Sequence, residues 1–272
     1  SLPGGCAIGT RPVDIHLKAL SKLGVKYKIK QGYVHATAPK GLKGSKIHFP
    51  KISVGATENL IIAASMAKGI SILSNCAIEP EIIDLINFLK KMGCKLKWIS
   101  KRSLKITGVN YLDDASYTVM FDRIEAGTYL IAAAVTEGNL KIRKVNPLTV
   151  KKEIDILKKI GSRIKYKNNE IHIIGSKNIR SINLKTAPWP GLATDLQAQM
   201  MVLLCKANKK SVIQENIFEN RFMHVGELNR MGAKILIKGN KAIIDGRIKF
   251  IAAELMATDL RASVSLVLAA LT

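Results

Sequence analysis

An internal repeat of about 70 residues most restricts the fold of this chain. Each copy has an amphipathic helix that ends near a glycine, followed by two short strands in which apolar and polar residues alternate. The glycines are Gly24, Gly93, Gly161 and Gly232, which are spaced 69, 68 and 71 residues apart. We predict that each glycine ends its helix in a left-handed backbone conformation and that each strand pair is a hairpin.

A second helix, rich in small and apolar residues, recurs between these copies. Its four predicted starts carry Ser53, Asp122, Asp195 and Asp259. These residue types cap helix N-termini, so we predict an N-cap at each. The helices are apolar on nearly all sides, which predicts burial. Their N-termini would offer N–H groups and partial positive charge to an anion, and the alternative is that these helices only form a core.

The charge of the chain favours anionic ligands. Lysine and arginine number 43 against 20 acidic residues, which gives a net charge of +23. Such a charge also suits a module that binds nucleic acid, and this is the rival function from a different class. Aromatic residues make up only 5% of the chain, too few to predict a surface for base stacking. We therefore expect a small anionic substrate and no nucleic-acid partner.

The apolar runs and the cysteines limit the cellular setting. The longest apolar runs are far shorter than the roughly 20 residues of a membrane span, so no membrane partner is expected. Cys6, Cys76, Cys94 and Cys205 are scattered and form no CxxC pair. This pattern indicates neither a zinc site nor a disulfide framework, and it suits a reducing cytoplasm.

Both ends of the chain look cut. It opens at Ser1 without an initiator Met or a signal-peptide pattern, and it stops at Thr272 inside an apolar run. We interpret it as an internal piece of a longer protein that lacks both ends.

Five motifs give the chain a family resemblance. They are LPGGCAIGTRPVDIH from Leu2, KISVGATENL from Lys51, TAPWPGLATDLQAQ from Thr186, ENIFENRFMHVGELNRMGA from Glu215 and MATDLRAS from Met256. In this order and spacing the chain closely resembles the UDP-N-acetylglucosamine 1-carboxyvinyltransferases, the enolpyruvyl transferases of peptidoglycan synthesis. The related shikimate-pathway enolpyruvyl transferases share the fold and the repeat but not the cysteine-bearing loop, and they remain the alternative within the superfamily.

The resemblance implies an α/β fold of repeated βαβαββ units, the inverse α/β barrel-like fold of enolpyruvyl transferases. That fold has two domains, and both would be incomplete here. Residues 1–119 would form part of the catalytic-loop domain, with about two repeat units. Residues 120–272 would form part of the second domain, with about two to three units.

The reaction implied by the resemblance uses two substrates and no cofactor or metal. The enolpyruvyl group of phosphoenolpyruvate passes to the 3-hydroxyl of UDP-N-acetylglucosamine, and phosphate leaves. This is the first committed step of peptidoglycan synthesis, so it serves cell wall biogenesis, cell shape and cell division. The resemblance further implies a cytoplasmic enzyme that is a monomer when complete.

Three residues are the predicted catalytic groups. Cys6 lies in a glycine-rich loop near Arg11, whose charge favours the thiolate, although the residues alone favour an inert cysteine. The resemblance assigns Cys6 to proton transfer at the enolpyruvyl methylene, a phospholactoyl adduct and alkylation by fosfomycin. It identifies Asp195 as the general base that contacts the 3-hydroxyl of the sugar, and it places Asp259 near the reacting carbons. For both aspartates N-capping alone is the simpler interpretation. The other cysteines are predicted to pack in the core.

The resemblance also assigns substrate contacts. Arg11 would bind phosphate groups, and Arg221 and Arg261 the carboxylate of phosphoenolpyruvate, as forked guanidinium groups can; a solvated surface charge is the alternative for any single arginine. The full set is Arg11, Pro12, Val13, Asp14, Ile15, Lys51, Ile52, Ser53, Val54, Gly55, Asp195, Ile217, Arg221 and Arg261.

Some binding residues of the family have no counterpart in this sequence. They are an N-terminal Lys-Asn pair, an arginine of the first third and a C-terminal arginine. The interpretation therefore allows for a chain that is inactive by itself.

Overall fold

A computed structural model of the chain describes residues 13–257 and 260–272. The described residues form two compact units: unit 1, which ends at Met120, and unit 2, which begins at Phe121. Each unit has its own cluster of buried apolar side chains. Helices alternate with short strands in both units, so each of them is an α/β structure.

Unit 1 combines three helices with a hairpin and a sheet. Its elements are α1 (Asp14–Lys22), β1 (Lys26–Lys30), β2 (Tyr33–Thr37), β3 (Lys46–His48), α2 (Val54–Ser65), β4 (Ile70–Ser74), α3 (Pro80–Lys91), β5 (Lys95–Ser100) and β6 (Ser103–Thr107). Strands β1 and β2 pair with each other in antiparallel fashion. The others form a sheet in the order β3-β4-β6-β5, in which β3 and β4 are parallel and the remaining pairs antiparallel.

Unit 2 carries five helices and two sheets within its described residues. Its elements are α4 (Arg123–Val135), β7 (Asn139–Arg143), a 3₁₀ turn (Pro147–Val150), α5 (Lys151–Ile160), β8 (Arg163–Lys167), β9 (Glu170–Ile174), β10 (Leu184–Lys185), a second 3₁₀ turn (Thr194–Leu196), α6 (Gln197–Cys205), β11 (Ser211–Gln214), α7 (His224–Arg230), β12 (Ile235–Lys238), β13 (Lys241–Ile244) and α8 (Leu260–Ala270). The sheets have the orders β7-β9-β8 and β10-β11-β13-β12.

The predicted repeat is confirmed by the backbone. Gly24, Gly93, Gly161 and Gly232 have φ of 102°, 91°, 128° and 90°, values that residues with a Cβ rarely adopt. Each follows a helix and precedes an antiparallel hairpin, namely β1–β2, β5–β6, β8–β9 and β12–β13. The glycine therefore turns the chain from a helix into a hairpin four times.

Helix α5 shows how the sequence pattern positions these elements. Ile154, Leu157 and Ile160 recur every three residues, and all three are buried. The lysines between them lie toward solvent, so the helix presents one apolar stripe to the core. Burial of one such side chain stabilises the fold by about 1.5–3 kcal/mol. This apolar stripe, rather than helix propensity, fixes the packing of α5.

The prediction that the second helix type is buried holds most fully for α6. All nine residues of α6 are buried, and α4 and α8 pack against it. In contrast, α2 exposes Ile62, and α8 exposes Val267. Among the described residues, no helix combines the length and apolar character needed to cross a lipid bilayer.

The four predicted N-caps had different outcomes. Ser53 caps α2 by accepting a hydrogen bond from the Ala56 N–H at 3.3 Å, and Asp122 caps α4 by accepting one from Ile124 N–H at 2.7 Å. The prediction was wrong for Asp195, which lies inside the second 3₁₀ turn, while Leu196 occupies the N-cap position of α6. The Asp195 side chain contacts arginines instead. Asp259 lies outside the described residues.

Three cysteines pack in the core, as predicted. Cys76, Cys94 and Cys205 are buried thiols. Burial raises the pKa of Cys76 and of Cys205 to about 12, because desolvation disfavours the thiolate. These thiols are therefore poor nucleophiles at neutral pH.

Candidate functional site

The predicted site residues within the described ranges form one group in each unit. The group in unit 2 contains Asp195, Ile217, Arg221 and Arg261. The group in unit 1 contains Val13, Asp14, Ile15, Lys51, Ile52, Ser53, Val54 and Gly55. Cys6, Arg11, Pro12 and Asp259 lie outside the described residues.

Asp195, Arg221 and Arg261 form an acid–arginine cluster in unit 2. The Arg221 Nη2 atom donates a hydrogen bond to Asp195 Oδ1 at 2.7 Å. The Arg261 Nε atom lies 3.4 Å from the same oxygen. One carboxylate oxygen therefore holds two guanidinium groups, and the structure brings these three predicted residues together.

Three separate segments supply the cluster. Asp195 is the middle residue of the 3₁₀ turn Thr194–Leu196, and Arg221 lies in the loop between β11 and α7. Arg261 is the second residue of α8. Both arginines therefore reach Asp195 through the tertiary fold of unit 2 rather than through local sequence.

The members of the cluster differ in burial. The Arg221 side chain is 7% exposed, whereas Asp195 is 37% and Arg261 is 27% exposed. The guanidinium carbon of Arg221 also lies 5.3 Å from the centre of the Phe218 ring, a cation–π arrangement. Arg221 is thus fixed on two sides, while Asp195 and Arg261 keep contact with solvent.

This arrangement can bind an anion next to a base. Guanidinium groups present planar pairs of N–H donors that match carboxylate and phosphate oxygens. Within the described part of the chain both contacts of Asp195 use Oδ1, and no hydrogen bond to Oδ2 is found. A carboxylate oxygen so placed can accept a proton from a substrate hydroxyl within reach.

The group in unit 1 is built on the starts of two helices. Helix α1 begins at Asp14, directly after Val13, and helix α2 begins at Val54, after the N-cap Ser53. In the first turn of α2 the N–H groups of Val54 and Gly55 have no acceptor within the helix. They are therefore suited to an anionic group such as a phosphate.

His16 links these two helices. Its Nδ1 lies 2.6 Å from Asn59 Nδ2, so Nδ1 accepts and the ring proton lies on Nε2. A Cβ at Gly55 would lie 3.2 Å from His16 Cε1, so glycine permits this close approach. Partial burial lowers the pKa of His16, with a smaller opposing effect of Asp14, and this favours the neutral ring that the hydrogen bond requires. The structure thus brings residues 13–15 and 51–55 together.

The side chains of this group face different surroundings. Lys51 and Val54 are exposed and Ile52 is partly buried against the core, whereas Ile15 is buried in the core. A substrate contact at Ile15 would therefore come from its backbone. In unit 2, Ile217 is partly exposed at 38% and lies in the same loop as Arg221.

Sequence reasoning missed four residues around these groups. His16 and Asn59 join the two helices of unit 1, and Phe218 lies beneath Arg221. Glu215 is a buried carboxylate in unit 2 that accepts hydrogen bonds from the segments that carry Asp195 and Arg221. Its only sequence signal is its place at the start of the ENIFENRF motif.

Comparison with known proteins shows the family to which this chain belongs. The model of the family described as EPSP synthase (3-phosphoshikimate 1-carboxyvinyltransferase) matches residues 1–272. The chain belongs to this family.

Individual proteins that match the whole chain share a more specific name than the family. The chain is 74% identical over 271 residues to the UDP-N-acetylglucosamine 1-carboxyvinyltransferase of Pelagibacter ubique (strain HTCC1062), covering 100% of this chain and 65% of that protein. It is 51% identical over 276 residues to the protein of the same name from Trichlorobacter lovleyi, again covering 100% of this chain and 65% of the relative. The chain thus spans about two thirds of the length of these relatives, and the resemblance predicted from the motifs is confirmed.

Solved structures confirm the fold. The enolpyruvyl transferase NikO from Streptomyces tendae superposes with a TM-score of 0.87 at 23% identity, covering 96% of this chain and 65% of that one. An EPSP synthase from Acinetobacter baumannii superposes with a TM-score of 0.74 at 21% identity, covering 97% and 65%. The predicted enolpyruvyl transferase fold is therefore correct.

Proposed function

We propose that the protein containing this chain transfers the enolpyruvyl group of phosphoenolpyruvate to the 3-hydroxyl of UDP-N-acetylglucosamine and releases phosphate. The acid–arginine cluster is the observation that carries this proposal, because it joins a base to two anion-binding groups. The names of the relatives at 74% and 51% identity favour this substrate over the shikimate-pathway alternative.

In this reaction Asp195 accepts the proton of the attacking sugar hydroxyl. Arg221 and Arg261 bind the carboxylate of phosphoenolpyruvate, so that the electrophilic carbon lies beside the hydroxyl. A pre-formed pair of guanidinium groups lowers the entropic cost of orienting that substrate. Because Arg221 is anchored by Asp195 and Phe218, it needs little rearrangement when the substrate binds.

The helix starts of unit 1 bind the nucleotide-sugar. The free N–H groups of Val54 and Gly55 suit its diphosphate, and exposed Lys51 adds positive charge. Val13, Asp14, Ile15, Ile52 and Ser53 belong to the same group in unit 1. The resemblance also assigns Ile217, in unit 2, to nucleotide-sugar binding. The roles that the resemblance assigns to the other residues are part of this proposal. Arg11 binds phosphate groups and Pro12 contacts the nucleotide-sugar. Cys6 transfers a proton at the methylene, and Asp259 lies near the reacting carbons.

Unit 1 would be part of the catalytic-loop domain and unit 2 part of the second domain. The enzyme would act in the cytoplasm as a monomer, without cofactor, metal or nucleic-acid partner.

A phosphate-release assay tests the function. The full-length protein that contains these residues is expected to release phosphate from phosphoenolpyruvate only when UDP-N-acetylglucosamine is added. Asp195→Asn should reduce turnover strongly, because the amide cannot act as base. Phosphate release that requires shikimate 3-phosphate instead would assign the chain to the sister activity. If neither acceptor supports phosphate release, both assignments are contradicted.

A further inference from the structure

We propose that Glu215 is a positioning residue of this enzyme, which ties the turn that carries Asp195 to the loop that carries Arg221. This role rests on the proposed function, because Glu215 would serve the enzyme by aligning the Asp195 carboxylate with the Arg221 guanidinium. The physical basis is a buried hydrogen-bond network in unit 2.

Both oxygens of the Glu215 carboxylate are engaged, and the side chain is fully enclosed, with 2% of the residue exposed. Oε2 accepts a hydrogen bond from Thr194 Oγ1 at 2.9 Å. Oε1 accepts one from Thr186 Oγ1 at 2.8 Å and one from the backbone N–H of Ile217 at 2.8 Å. The N–H of Phe218 lies 3.3 Å from the same oxygen.

Two of these donors are next to the reacting groups. Thr194 directly precedes Asp195 in the 3₁₀ turn. Phe218 carries the ring on which the Arg221 guanidinium lies, 5.3 Å from the ring centre. Glu215 therefore binds one residue next to Asp195 and one residue in contact with Arg221, the two partners of the 2.7 Å hydrogen bond.

The third anchor fixes Glu215 itself. Thr186 donates its hydroxyl proton to Glu215 Oε1 and accepts a hydrogen bond from the Asn216 N–H at 2.9 Å. The Glu215 N–H donates to the Asn240 carbonyl at 2.9 Å, which binds the backbone to the turn after β12. Glu215 is thus held both at its carboxylate and at its backbone.

The four hydrogen-bond donors around Glu215 favour a carboxylate at this position. An ionised carboxyl group has two acceptor oxygens and no proton, so it matches four donors without a conflict. Aspartate is one methylene shorter and cannot reach both the turn and the loop. Misplacement of a catalytic group by about 1 Å can reduce turnover by about 100-fold, so this network is relevant to rate even though it lies away from the reacting atoms.

The test removes the link between Glu215 and the Asp195 turn without touching either residue. Thr194→Val deletes the hydroxyl at nearly constant volume, and Thr194→Ser retains it as the matched control. In the full-length protein we expect Thr194→Val to lower kcat by about 10- to 100-fold with little change in either KM. We expect Thr194→Ser to stay within about threefold of wild type in kcat and both KM values.

Stability must be measured in parallel. A structural role alone would lower the melting temperature of Thr194→Val and leave kcat unchanged, and this result would overturn the proposal. Glu215→Gln provides a second variant, since the amide keeps the size and one acceptor oxygen, and it should lower kcat with the fold retained.

Crystal structures of wild type and Thr194→Val separate this proposal from the proposed function. If wild type shows no turnover, the function proposal fails, and the contact between Asp195 Oδ1 and Arg221 Nη2 decides the positioning role. Lengthening of that contact in Thr194→Val, but not in Thr194→Ser, supports the role. An unchanged contact in both variants overturns it.

Discussion

Arg221 Nη2 lies 2.7 Å from Asp195 Oδ1, although the two residues are 26 positions apart in the sequence. Arg261 joins them from a further segment, 66 positions from Asp195. The base and the anion-binding groups of the proposed site therefore hold one another in place before substrate arrives. A change in any one of them should affect the other two.

The two arginines should differ in their effect on stability. Lysine cannot reproduce a forked contact, so Arg221→Lys and Arg261→Lys should each lower kcat/KM by at least about 10-fold. Only Arg221→Lys should clearly lower the melting temperature, because Arg221 is 7% exposed and Arg261 is 27% exposed. Steady-state kinetics and thermal unfolding measure the two effects. Equal losses of melting temperature would contradict the assigned difference in burial.

An acidic group in unit 1 should make stability depend on pH. The pKa of Glu58 is raised by partial burial and then by the carboxylates of Glu81 and Glu79. A raised pKa in the folded state means that the ionised form destabilises the fold, so stability falls as pH rises through that pKa. Glu58→Gln should therefore raise the melting temperature at pH 7 and have no stabilising effect near pH 4. Glu254→Gln, at an exposed position in unit 2, is the control and should change neither value.

The buried cysteines should resist thiol reagents in the native protein. Burial raises the pKa of Cys76 and Cys205 to about 12, and Cys94 is buried as well. We expect peptides that contain these three residues to remain unmodified at pH 7.5, and to react once urea unfolds the protein. Fosfomycin should modify Cys6 in the full-length protein and should do so faster with UDP-N-acetylglucosamine. Peptide mapping by mass spectrometry checks both, and equal labelling of all four cysteines would contradict a special role of Cys6.

Two helical glycines should respond oppositely to alanine. A Cβ at Gly127 in α4 would lie 2.5 Å from Leu196 Cδ1, and Leu196 is buried. Gly127→Ala should therefore destabilise the fold by about 1–3 kcal/mol through overpacking. A Cβ at Gly226 in α7 would meet nothing within 4 Å, so Gly226→Ala should stabilise it by about 0.4–1 kcal/mol. Urea unfolding of both variants provides the comparison, and the same sign for both would be inconsistent with this packing.

The sequence predicted what local patterns determine. Apolar spacing and the four glycines indicated the helices and hairpins, because both depend on contacts within a few residues. The prediction that Asp195 is an N-cap was wrong, since its carboxylate bonds to arginines 26 and 66 positions away. The role of Glu215 was not visible either, because its partners Thr186 and Thr194 lie 29 and 21 positions away. Pairings of this kind depend on the tertiary fold and leave no periodic signal.

The complete burial of α6 has a consequence for how unit 2 opens. Helices α4 and α8, strands β11 and β13 and the Asp195 turn all contact α6, and all nine of its residues are buried. Water cannot reach its amides unless these neighbours separate together, so α6 should exchange hydrogen for deuterium only through cooperative opening of the whole unit. The exchange rates of Met200 to Leu204 would then report the free energy of that opening. The edge strand β8, which pairs only with β9 and has mostly exposed residues, should exchange earlier, through local fraying.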